Sequence, residues 1–178
     1  MPINLIDIRN AVQDYLDTKV TVTVSAFRAE VPNAIGPGEK FTFDITAVNA
    51  DDANGGLKLI NVRYHIKVVS PSKAKLIVNN RGAIGGWVSR SGPLETDPEL
   101  ALQSEVSEMY LFPYYLLGAT DTKTLTVGET DTLTNIEGKA LSLGATDIQC
   151  DIIADVDINF LIPMNQNSTT ASRSLAVT

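Results

Sequence analysis

With 178 residues, 44% of them hydrophobic, the chain has the size of one domain with enough apolar material for a real core. A net charge of −7 argues against nucleic acid as a partner, because phosphate binding needs a basic surface. Its lone cysteine excludes a disulfide within the chain, and no apolar run is long enough to span a bilayer.

The chain opens on helical spacing. Leu5, Ile8 and Val12 recur on one face, Asn4 is placed to cap, and Asp7 suits the first turn. The spacing predicts an amphipathic helix within residues 1–18, either plugging the core or docking on a partner. Strands follow. Lys19 to Ala29 and Lys40 to Asn49 alternate polar and apolar residues, the second burying Phe41, Phe43, Ile45 and Ala47. Leu57 to Val69 alternates as well, putting Tyr64 and Ile66 inside and Arg63, His65 and Lys67 outside. Ala74 to Val78 is a short strand. Further strands are expected near Val106–Phe112, Thr124–Val127, Asp131–Ile136 and Ala140–Leu143. Asp147 to Ile162 shows the strongest period of two in the chain, with Cys150 on its apolar face. Sixteen extended residues would reach roughly 50 Å, longer than ordinary strands, so either a bulge is expected in it or one part serves as core strand and the other as a contact edge.

This pattern predicts an all-β fold: an immunoglobulin-like antiparallel β-sandwich of about seven to nine strands over residues 19–164. Two segments stand apart. Residues 79–104, rich in Gly, Ser and Arg and holding Trp87, read as a long inserted loop. Residues 165–178 read as a polar tail that needs a partner to become ordered.

Few residues offer chemistry. His65, the single histidine, lies beside Arg63 and Lys67 with no acid fixed near it in sequence, and no nucleophile motif is present. No catalytic residue and no cofactor are therefore expected. Asp151, Asp155 and Asp157 share the outer face of the last long strand and are weak metal candidates. Residues two apart on a strand are separated by about 6.7 Å, too far for one strand to supply a calcium shell alone. Leu5, Ile8 and Val12 on the helix stripe, with Arg81, Trp87 and Arg90 in the inserted loop, are the candidate interaction residues.

The charge is uneven. Residues 1–90 hold eleven Lys/Arg against eight Asp/Glu, and residues 91–178 hold three against thirteen. Either the halves interleave within one domain, or the molecule has complementary ends that stack head to tail. The segment from Val31 to Asn49 runs through a Pro37-Gly38-Glu39 turn into an alternating strand that ends on Asn49. It resembles the second strand of bacterial Ig-like modules of the CARDB kind. That resemblance implies an Ig-like fold, in modules that are usually secreted and arranged in tandem. The sequence here shows no charged-then-apolar leader, so synthesis in the cytoplasm is expected, with a virion or other released particle as a further location. Together these features predict a non-enzymatic structural or interaction protein. It would be a subunit of a multi-copy assembly, such as a phage-type capsid, tail or injection-particle component. Its partners would be copies of itself or other subunits, with no nucleic acid and no membrane. The alternative is a ligand-binding or adhesion module for carbohydrate, using Trp87.

Overall fold

The computed structural model describes residues 4, 6–8, 10–11, 14, 19–30, 35–50, 58–78, 87–94, 96–101, 103–113, 124–156, 165–167 and 171–178. Among them are twelve strands: β1 (Val20–Val24), β2 (Arg28–Ala29), β3 (Lys40–Asn49), β4 (Leu59–Val68), β5 (Ala74–Val78) and β6 (Trp87–Arg90), followed by β7 (Ser104–Val106), β8 (Glu108–Pro113), β9 (Thr130–Ala140), β10 (Gly144–Val156), β11 (Asn165–Asn167) and β12 (Ala171–Val177). They form two six-stranded antiparallel sheets. The first runs β1-β3-β9-β5-β7, with β2 also on β3; the second runs β11-β10-β4-β8-β6, with β12 also on β10.

Alternation explains the burial. Phe41, Phe43, Ile45 and Ala47 of β3 are fully buried from one sheet. Ile148, Cys150, Ile152 and Ala154 of β10 meet them in one core from the other. Each of the Phe and Ile side chains among them contributes about 1.5–3 kcal/mol on burial, so the paired inner faces hold the two sheets together. Phe27 packs edge-on against Phe41 and Phe43 at ring distances of 5.4 and 5.5 Å. Gly138 of β9 lies directly opposite Phe41, and any Cβ there would collide with the Phe41 ring. The missing side chain is what lets β9 run on: the two strands expected at Asp131–Ile136 and Ala140–Leu143 are one, up to Ala140. Asn135 takes a positive φ of 58° in β9, and the register with β3 shifts between Phe43 and Ile45. The Asn135 N–H donates to Asp44 Oδ1 at 2.9 Å, an acceptor shared with Arg28 Nη2 at 2.7 Å.

Of the two readings of the last long strand, the bulge is present: β10 shifts register against β4 between Ile153 and Asp155. The boundaries drawn from sequence need three corrections. First, the polar tail is part of the second sheet. β11 and β12 pair with β10, and Leu175 and Val177 are 1% and 3% exposed. Two apolar residues at alternate positions suffice to anchor so short a strand. Second, the inserted loop contains structure, because Trp87–Arg90 pairs with β8 and Ser104 begins β7. Third, the described residues hold twelve strands where about seven to nine are expected, the surplus being short pieces such as β2, β7 and β11.

At the N-terminus, residues 6–8, 10–11 and 14 are helical. Asn4 Oδ1 accepts from the Ile6 N–H at 3.0 Å, and its carbonyl accepts from Ile8 N at 3.2 Å, the cap expected of this residue.

Candidate functional site

Because Val62, Tyr64, Ile66 and Val68 point inward, β4 turns Arg63, His65 and Lys67 to the outer face of the second sheet. Register then does what sequence spacing does not. It aligns Asp151 of β10, His65 of β4, Tyr110 of β8 and Arg90 of β6 in one row across the sheet. An isolated bridge adds Glu99 next to Arg90.

The row is chemically matched. His65 Nε2 lies 2.6 Å from Glu108 Oε1, and Nδ1 lies 3.5 Å from Asp151 Oδ2. The imidazole stacks on the Tyr110 ring, 4.3 Å between centroids and 11° between planes. Burial, then the Glu108 carboxylate beside it, raise the pKa of the Tyr110 hydroxyl. Arg90 Nη1 sits 2.6 Å from Glu99 Oε1. Both imidazole nitrogens face carboxylates, so the ring joins β10, β4 and β8 and presents neither nitrogen to a hydroxyl or thiol. Asp151 Oδ1, Arg90 Nε and Arg63 Nε are buried on the same face with no hydrogen-bond partner.

His65 thus departs from expectation: two acids reach it, one from each neighbouring strand, and only strand pairing could have revealed them. The metal candidates fare differently. The Asp151 carboxylate is turned to His65; the side chain of Asp155 and all of Asp157 lie outside the described residues. Among the described residues no group of three or more His, Cys, Asp and Glu could hold a metal ion.

Trp87 is buried in the core, edge-on to Tyr64 with ring centroids 5.1 Å apart. The Tyr64 hydroxyl donates to Asp131 Oδ2 at 2.7 Å, joining the two sheets through the core. Burial first, and Asp131 second, hold that hydroxyl's pKa far above the ordinary tyrosine range. Cys150 is wholly buried, as its place on the apolar face of the strand implies, and that burial raises its thiol pKa as well. Arg90 is spent on Glu99. Ile8 is 40% exposed and Ile6 64%, while Leu5, Val12 and Arg81 lie outside the described residues. Among the described residues no helix is long and apolar enough to cross a membrane.

No family model matches the chain, and no curated protein matches it in sequence. Solved structures that align with the chain include the following three. AvmM, whose structure is titled as catalysing macrocyclization in alchivemycin A biosynthesis, aligns over 89% of this chain and 88% of its own, at 13% identity and a TM-score of 0.49. Spo0M, a sporulation control protein from Bacillus subtilis, aligns over 88% of this chain and 48% of its own, at 11% identity and a TM-score of 0.28. The Actinomyces fimbrial adhesin FimA aligns over 84% and 56%, at 10% identity and a TM-score of 0.32. Likenesses this distant carry no argument about function.

Proposed function

We propose that this chain is a non-enzymatic interaction protein, a subunit that joins copies of itself or other subunits into an assembly. The observation that carries the reading is the capped helical turn at the N-terminus, where Ile6 and Ile8 stand 64% and 40% exposed. Ile8 belongs to the apolar stripe and Ile6 lies about 200° round the turn from it, so each leaves separate apolar surface for a partner to cover. Light scattering after size-exclusion chromatography tests it. Self-association, or a partner retained in a pull-down and lost in the Ile6→Ser/Ile8→Ser variant, is the expected result. A strict monomer that retains no partner overturns it.

We further read the fold as immunoglobulin-like, as the resemblance to CARDB-kind modules implies. The support is adjacency. In chain order β1, β3, β4, β5, β9, β10 and β12 occupy the positions A to G, with A-B-E-D in one sheet and C-F-G in the other. On this reading β6, β7 and β8 belong to an insertion between the fourth and fifth strands.

A further inference from the structure

One end of the molecule gathers four of its eight lysines. Lys40 opens β3, Lys139 stands next to last on β9, and Lys75 is second on β5. The register sets Lys40 opposite Lys139 and Lys139 opposite Lys75. Their chain neighbours Phe41, Ala140 and Ala74 are buried, so all three lysines leave the outer face of the first sheet. Paired strands lie about 4.8 Å apart, which makes this a continuous cationic row. Like charges directly opposite one another work against a sheet. Among the described residues only Lys139 of the three has an ion-pair partner, Glu105 at 3.0 Å. Glu137 stands one row further from this end, and Glu39 spends its carboxylate on the Gly36 N–H at 2.8 Å.

The loops beyond the row expose two large aliphatics. Leu143 is 62% exposed and Val69 49%. The two loops are stitched together: Lys73 Nζ donates to the Leu143 carbonyl at 2.6 Å, Ser142 Oγ to the Ser72 carbonyl at 2.9 Å, and Val69 N to the Asp147 carbonyl at 2.9 Å. The turn before Lys40 joins the same end, with Gly38 N donating to the Ala140 carbonyl at 2.8 Å.

We propose that this end docks on an anionic lipid surface, Leu143 and Val69 entering the headgroup boundary while Lys40, Lys139 and Lys75 face the lipid charges. An aliphatic tip behind which cations form a row matches the layered chemistry of a bilayer interface. This contact needs no spanning segment, so the absence of a long apolar run does not bear on it. It also stands apart from the N-terminal docking reading, which uses other residues.

The test is co-sedimentation of the full chain with vesicles of phosphatidylcholine alone and of phosphatidylcholine with phosphatidylserine. Sedimentation with the phosphatidylserine vesicles, released as salt rises, is expected. The Lys40→Gln/Lys75→Gln/Lys139→Gln variant should bind about a hundredfold more weakly. Leu143→Ser/Val69→Ser should weaken binding at every salt concentration. Circular dichroism melts establish that both variants are folded. Three results would overturn the proposal: no binding to either vesicle, equal binding to both, or binding indifferent to the lysine substitutions. So would a self-associated species that the lysine substitutions dissolve without any vesicle binding, since that would assign the end to a second copy.

Discussion

The two sheets carry charge on their outer faces in opposite ways. On the second sheet the row from Asp151 through His65 and Tyr110 to Arg90 and Glu99 is internally matched, with acids beside the imidazole and the guanidinium. On the first sheet the row Lys40–Lys139–Lys75 sets like beside like. A matched row is scaffolding: each contact helps to fix which strands pair. A mismatched row costs the fold something, a cost that the proposed contact with an anionic surface would offset. The comparison separates residues that merely look functional from residues to which the fold gives little support. His65 has the chemistry usually associated with catalysis, yet its contacts are all to neighbouring strands. The lysines look bland in sequence and find little compensation in the fold.

Both rows rest on the same core, so the largest effects should come from beneath them. Leu175→Ala empties a core position under the second sheet, on the strand that completes its edge. A loss of about 2–5 kcal/mol is expected, read as a lower urea midpoint at unchanged slope. Under the first sheet, Gly138→Ala forces a methyl into the Phe41 ring, which Phe27 and Phe43 hold in place. Overpacking of this kind costs about 1–3 kcal/mol and should appear as a lower melting temperature. If Gly138→Ala were neutral, the account of why β9 runs unbroken beneath the lysine row would fail.

The tie between the sheets is open to a pH test. In the folded chain the Tyr64 hydroxyl titrates above its ordinary value of 10.0, because of burial first and Asp131 second. The folded state therefore keeps a proton that the unfolded chain gives up. This contribution is whole below pH 10 and is lost as pH climbs above it, at about 1.4 kcal/mol per pH unit. Tyr64→Phe should remove that loss, so its stability falls less steeply than the parent's in denaturant titrations on the alkaline side. Parallel slopes would mean that the hydroxyl is not held as the structure has it.

How much of this was legible in sequence follows from where the signals live. β3, β4, β5 and β10 were readable because a strand with one wet face writes its period of two directly into the chain. β6 was not, since Trp87, Val88 and Ser89 are all buried and leave no alternation to read. β12 hid behind Ser172, Arg173 and Ser174, with its two buried residues coming only at its end. β9 looked like two strands because Gly138 resembles a break until its opposite number, Phe41, is known. The His65 cluster was invisible for a different reason. Its acids come from β8 and β10, and pairing register is a property of the folded sheet. Asp151 was singled out, but for a metal rather than for an imidazole.

The rows themselves can be set against each other with substitutions of similar size. Glu108→Gln removes the closer of the two acids from His65; for a half-exposed pair a loss of about 0.5–1 kcal/mol is expected by urea denaturation. Lys75→Gln should do the reverse. It deletes one member of a like-charged row while keeping the long polar stem, so stability should rise by a few tenths of a kcal/mol at low salt, about the size of one unfavourable cross-strand pair. Added salt should erase that gain, because screening already relieves the repulsion. The sign matters more than the size. If Lys75→Gln destabilised the protein at low salt, Lys75 would be holding the sheet through a favourable contact. The row would then be scaffolding like its counterpart, and the case for an external anionic surface would lose its premise.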